Sequence, residues 1–198
     1  MTTTFFLVRH AAHDNVGGFL AGRMPGVRLG VDGRAQAGRL AERMRRETFS
    51  RIYVSPRERA AETAAAIATV SPVPIEEAAE LDEIEFGAWS GKDFATLNAD
   101  PAWRHWNAWR SLARTPGGET MLDVERRAAD FMETLVARFP EDALVLVSHA
   151  DVIRALVGHV LGLALDLWQR FDISPASITT LIVGDWGARL LGVNEVVP

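Results

Sequence analysis

The sequence predicts an α/β sandwich, with a largely parallel central sheet and helices on both faces. Two observations carry this. Short apolar runs alternate with helix-spaced amphipathic segments, and polar residues recur where each run ends and the next helix begins. With 198 residues, 48% of them hydrophobic, one domain with a sizeable core is expected.

Residues 5–9 are an apolar run ending in charge, as a buried central strand is. Residues 33–47 follow Asp32, a candidate N-cap, and set Ala37, Leu40, Ala41 and Met44 at helical spacing. The next unit has residues 51–54 as a strand, Ser55 as helix cap and Pro56 at the first helical position. Its alanine-rich helix runs to about Thr69 and is broken by residues 71–74. Residues 119–139 read as a long amphipathic helix closed by Pro140, residues 143–147 as a strand and residues 151–161 as a helix. Residues 177–183 and 188–193 flank Gly184-Asp185-Trp186-Gly187 and predict a hairpin. Residues 80–115 differ: they hold Trp89, Trp103, Trp106 and Trp109, have few β-branched residues and exit through Pro116-Gly117-Gly118. This stretch reads as a helical insertion within a single domain of residues 1–198. Trp103, Trp106 and Trp109, spaced three apart, are expected to share a helix face that packs the insertion, with the alternative that Trp89 or this face lines a pocket for a bulky alcohol.

Composition narrows the chemistry. Cysteine is absent, which excludes a thiol nucleophile, a thiolate zinc site and disulfides. Lys92 is the one lysine, so a P-loop or Schiff-base mechanism has no candidate, and arginine supplies the other cations. Forked guanidinium groups suit a phosphate or carboxylate site. A net charge of −5 argues against nonspecific nucleic-acid binding. The first residues lack a basic n-region and a long apolar run, and no later run approaches a membrane span, so a cytoplasmic location is expected.

In open α/β sheets ligands sit beyond the carboxyl ends of the strands. Three strand ends are informative: Arg9-His10, Ser55-Pro56-Arg57-Glu58-Arg59, and Ser148-His149. An imidazole with a pKa of about 6.5 keeps a free lone pair at neutral pH, and neighbouring arginines disfavour its protonation. Such a histidine can attack phosphorus to give a phosphohistidine, while guanidinium groups stabilise the equatorial oxygens. The departing alkoxide needs a proton, and Asp82, Glu83 and Glu85 in residues 81–87 are the candidates. Spacing does not choose among them.

The ordered blocks Arg9-His10-Ala11, Ser55 to Ala64, Leu81 to Gly91, Pro116 to Glu119 and Val147 to Arg154 resemble the histidine phosphatase superfamily, also called phosphoglycerate mutase-like. The match covers residues 5–154. The resemblance implies a phosphoglycerate mutase-like α/β/α sandwich and a metal-independent phosphomonoester hydrolase with no cofactor. It implies His10 as the phosphorylated nucleophile, Arg9, Arg59 and His149 as the phosphoryl pocket, and Glu83 as general acid and base. Arg57 is then a bystander, and Asp82 and Glu85 ordinary surface carboxylates. Ala11 and Ala150 stand where the common pattern has glycine, which puts the pocket's shape in question. Val16 replaces a frequent asparagine. Arg23 and Trp89 are candidate substrate-pocket residues.

Three alternatives follow. Phosphoglycerate mutase-type transfer would use a second hydroxyl in place of water. His10, His13, Asp14, His149 and Asp151 could form the nitrogen and oxygen ligand set of a metallohydrolase. A noncatalytic phospho-ligand module would use the same scaffold. A small phosphate ester is the expected partner, with neither nucleic acid nor membrane involved; the sequence leaves the natural substrate and the oligomeric state open.

Overall fold

A computed structural model describes residues 2–198. Its strands are β1 (Thr2–Arg9), β2 (Arg51–Val54), β3 (Ile75–Glu77), β4 (Ala143–Ser148), β5 (Ile178–Gly184) and β6 (Gly187–Glu195). They form one six-stranded sheet in the order β3-β2-β4-β1-β5-β6. β1 to β4 pair in parallel, β5 lies antiparallel to β1, and β5 and β6 form the expected hairpin.

The central strands are apolar throughout because both faces are covered. Phe6, Val8, Ile52, Val54, Val145 and Val147 share a core with α1 (Val31–Met44) and α2 (Glu58–Val70). Phe5, Leu7, Leu144 and Leu146 face the other way, onto α5 (Met121–Arg138) and α6 (Ala150–Leu161). Each such side chain contributes about 1.5–3 kcal/mol on burial, which holds the three layers in register. The fold is the expected mixed α/β sandwich.

Several boundaries differ from expectation, each for a tertiary reason. Helix α1 begins at Val31 with Gly30 as N-cap, so Asp32 lies inside the first turn and caps nothing. The Gly30 N–H donates to Ala12 O at 3.1 Å, and a Cβ on Gly33 would sit 1.7 Å from that same oxygen. The loop leaving β1 is therefore seated directly on the start of α1. Helix α2 begins at Glu58 with Arg57 as N-cap; Ser55 and Pro56 stay in the extended exit of β2, because the Ser55 hydroxyl is engaged elsewhere. The edge strand β3 was not anticipated, being three residues long and defined by pairing with β2. Helix α5 starts at Met121, where Thr120 and Asp123 form a capping box.

The tryptophan-rich stretch supplies 3₁₀ turns at Ala79–Leu81 and Gly87–Trp89, then α3 (Phe94–Ala99) and α4 (Pro101–Ala108). Asp93 and Asp100 cap the two helices. Trp103 and Trp106 stack at 5.3 Å between centroids, and Trp89 meets Trp103 edge-on at 5.2 Å. Helix α4 ends at Ala108, so Trp109 leaves that face and is 52% exposed.

The chain leaves β1 toward α1 on one face and leaves its neighbour β4 toward α6 on the other. Divergence of these two connections opens a crevice at their carboxyl ends, the position where such sheets bind ligands. Among the described residues, no helix is long and apolar enough to cross a membrane.

Candidate active site

Register brings the strand ends together. Arg9 pairs with Ser148, and the His10 N–H donates to Ser148 O at 2.9 Å, so His10 and His149 emerge side by side. Their rings meet edge-on at 5.0 Å. The Ser55 N–H donates to Val147 O, which brings β2's exit to the same place. Helix α2 then turns Arg59 back over both imidazoles. These residues are buried beneath a cavity of about 280 Å³ lined by Arg9, His10, Arg59, Glu83, Asp151 and Arg154 among others. A larger hollow of about 870 Å³ lies between α1 and the C-terminal residues, and none of these side chains line it.

Tautomers follow from the partners. His10 Nδ1 lies 2.8 Å from Ala11 O. A carbonyl can only accept, so Nδ1 carries the proton and Nε2 keeps its lone pair. Arg59 Nε donates to that Nε2 at 3.2 Å. Arg59 Nη2 donates to Gly22 O at 2.8 Å and to His149 Nδ1 at 3.2 Å, which places the His149 proton on Nε2. This Nε2–H donates to Ser55 Oγ at 2.7 Å, and Ser55 in turn donates to Asp82 Oδ1 at 3.3 Å. Arg59 Nη1 is buried without a partner among the described residues.

Burial, with help from Arg59 and Arg9, holds the His10 pKa well below its ordinary value. His149 is pushed down in the same way by burial and then by Arg59. Both rings are therefore neutral at physiological pH. Glu83 goes the opposite way. Burial and then the negative charge of Asp151 raise its pKa to about 7, against the pull of Arg59. Its Oε1 accepts from the Ile84 N–H at 3.0 Å, and its Oε2 lies 3.6 Å from His149 Nδ1.

Arg23 does not line the cavity. Its Nε donates to Glu83 O at 2.7 Å, and it pairs with Glu119 at 2.8 Å and Asp82 at 3.3 Å, so it ties down the Glu83 loop. Trp89 is likewise no pocket residue: it is 2% exposed inside the indole cluster and donates Nε1–H to Asp100 at 3.1 Å. The cavity wall takes Trp103 instead, with Phe19, Phe94 and Trp168. Asp82 is no surface carboxylate. It is 6% exposed and accepts from the Glu83 N–H at 2.8 Å. Arg57 is 2.9 Å from Asp82 and so supports it. Ala11 points its methyl into the α1/α2 core and gives its N–H to Thr63 Oγ1, whereas Ala150 lines the cavity.

Sequence reasoning missed Ser55, Glu119 and Arg127 as parts of this structure. Arg127 donates to Asp82 O at 2.7 Å and to Glu119 at 3.0 Å. The polar strand end at Ser55 was the available signal, and it was spent on a helix cap. Among the described residues, no three His, Asp or Glu side chains gather as a metal ligand set. The proposed cluster fails because Arg59 bonds both His10 and His149, and Asp151 is 2.8 Å from Arg110.

Fold and site together define an α/β protein with a neutral histidine pair ringed by arginines at the sheet's switch point. The chain belongs to the histidine phosphatase superfamily (branch 1), whose family model matches residues 5–196. It is 30% identical over 191 residues to phosphoserine phosphatase 1 of Hydrogenobacter thermophilus, covering 95% of this chain and 90% of that one. It is 32% identical over 169 residues to the adenosylcobalamin/alpha-ribazole phosphatase of Salmonella typhimurium, covering 83% of each. The solved structure of a mycobacterial glucosyl-3-phosphoglycerate phosphatase superposes with a TM-score of 0.88 at 28% identity, over 98% of this chain and 100% of that one.

Proposed function

We propose that the protein is a metal-independent phosphomonoester hydrolase that works through a phosphohistidine on His10, with Glu83 as general acid and base. The observation that carries this reading is the locked His10 tautomer: Nδ1–H held by Ala11 O leaves the Nε2 lone pair facing Arg59 in the cavity. In the first half-reaction Nε2 attacks phosphorus, the ester P–O bond breaks, and protonated Glu83 gives its proton to the leaving alkoxide. In the second, Glu83 takes a proton from water, the hydroxide forms the new P–O bond, and the P–N bond breaks to return neutral His10 and phosphate. A pKa of about 7 lets one carboxyl serve both steps near neutrality.

Arg9 and Arg59 supply positive charge to the phosphoryl oxygens. His149 completes the phosphoryl pocket beside them, with its Nε2–H donated to Ser55 Oγ. That Nε2–H bond to Ser55 fixes the ring, so His149 Nδ1, 3.2 Å from Arg59 Nη2, holds the guanidinium over the phosphoryl site. One relative is named for phosphoserine, and a cavity of about 280 Å³ suits a small alcohol, near the lower end of ligand pockets.

The test is a panel of small phosphomonoesters assayed after exhaustive chelation, with rapid-quench labelling of the protein. Phosphate release and an acid-labile, base-stable phosphoryl group, both lost in His10→Ala, are expected. Release without any such label in the wild type refutes the covalent route.

A further inference from the structure

We propose that Asp151 selects the substrate: its free carboxylate oxygen receives a hydroxyl or ammonium donor on the alcohol part of the phosphomonoester. This deepens the hydrolase reading and rests on it. Asp151 stands two residues after His149, in the first turn of α6, and lines the cavity. Its Oδ1 is spoken for, with Arg110 Nη1 at 2.8 Å and Arg154 Nη1 at 3.7 Å. Among the described residues its Oδ2 accepts no hydrogen bond, and the atom is not buried, so it opens on the cavity.

The carboxylate is rigidly placed. Arg110 lies between two indoles, 4.1 Å from the Trp106 centroid and 3.5 Å from that of Trp168, and also donates to Asn107 Oδ1 at 3.1 Å. Arg110 and Arg154 hold Asp151 ionised, with its pKa below the ordinary value. The other charged groups lining the cavity are Arg9, Arg59 and Glu83, with His13 at its edge. The arginines repel a cation but match phosphoryl oxygens, and the wall at Val16, Phe19, Phe94 and Trp103 is apolar. An ionised acceptor facing the same cavity as such a wall discriminates, because an alcohol with no donor strips its water and returns nothing. Asp151, the nucleophile His10 and the proton donor Glu83 line one small cavity of about 280 Å³, so a donor bound by Asp151 belongs to the part of the alcohol near the ester oxygen. The substrate class is therefore a small phosphomonoester bearing a hydroxyl or ammonium close to the ester carbon.

Three esters of equal heavy-atom count isolate this contact: 2-aminoethyl, 2-hydroxyethyl and n-propyl phosphate, with p-nitrophenyl phosphate as the common reference. The quantity read is the ratio of kcat/KM for each donor ester to that for n-propyl phosphate, in the wild type, Asp151→Asn and Asp151→Ala. Damage transmitted through Arg110 or Glu83 scales the three alkyl esters together, whose leaving groups are all poor, and leaves their ratios alone. The wild-type ratio for 2-hydroxyethyl should exceed about tenfold, and Asp151→Ala should lower it by about tenfold to a hundredfold, as for one hydrogen bond to a charged group. Asp151→Asn keeps a neutral acceptor, so a hydroxyl substrate retains most of its preference and an ammonium substrate loses it. Those two patterns distinguish the donors. Wild-type ratios near one, or ratios within about twofold of wild type in both variants, overturn the proposal, and the wild-type measurement decides even where a variant does not fold. If p-nitrophenyl phosphate is cleaved while the ratios are flat, the selection by Asp151 alone is wrong; if no ester is cleaved, the hydrolase reading falls with it.

Discussion

Replacing Glu83 by glutamine should stabilise the protein, and increasingly so as pH rises. Burial and the Asp151 charge raise the Glu83 pKa from an ordinary 4.5 to about 7. The folded state therefore keeps a proton that the unfolded chain gives up. Below pH 4.5 both states carry it, and glutamine and glutamic acid are near equivalent. Between these two values the unfolded state binds fewer protons, so wild-type stability falls as pH rises. At about 1.4 kcal/mol per pH unit, the full span costs about 3 kcal/mol by the time pH passes the folded-state value.

Glutamine never ionises and escapes that cost. Its side chain also keeps an oxygen for the Ile84 N–H, which Glu83 Oε1 receives at 3.0 Å. The assay is thermal and urea unfolding of wild type and Glu83→Gln at pH 4.5 and pH 8.5, read as the difference between the two proteins. Contributions from His10, His149 and the other carboxylates are common to both and largely cancel. The variant's advantage should grow by up to about 3 kcal/mol across the interval, or up to about 6–12 °C in Tm for a chain of this size. An advantage that is the same at both pH values would show that Glu83 is ionised near its ordinary pKa and would remove the basis for its double role. Activity toward esters of poor leaving groups should drop about a hundredfold or more in the same variant, so stability and catalysis move in opposite directions.

Two further expectations come from the supporting structure. Ser55→Ala removes the partner of His149 Nε2, so inhibition by inorganic phosphate should weaken by about tenfold or more, with an unchanged phosphate inhibition constant the contrary result. Gly118→Ala would put a Cβ 1.9 Å from Glu85 O, forcing the Glu83 loop apart. Unfolding should show a loss of more than about 2 kcal/mol, and a melting curve equal to wild type would refute that close approach.

The layers were legible in the sequence because they rest on local periodicity. A strand covered on both faces must be apolar throughout, and an amphipathic helix must repeat its apolar positions, so β1, β4, α5 and the late hairpin all declared themselves. His10, Arg59 and His149 were legible as polar strand ends and as ordered family blocks. Helix starts were less so: Asp32 and Ser55 both have capping chemistry, yet a backbone contact with Ala12 and a hydrogen bond to His149 decided where α1 and α2 begin.

By itself, then, the amino-acid order determined which segments, β3 aside, become strands and which imidazoles and guanidiniums stand at their ends. Tertiary structure decided what each side chain does there. It drew Trp89 into the indole cluster and put Trp103 on the wall, turned Arg23 from substrate contact to loop tether, buried Asp82 beneath Ser55, and left one oxygen of Asp151 open. The reason is the range of the forces concerned. Propensity and periodicity act within a few residues, whereas desolvation and charge pairing depend on partners such as Ser55 and His149, 94 positions apart, that meet when the chain is folded.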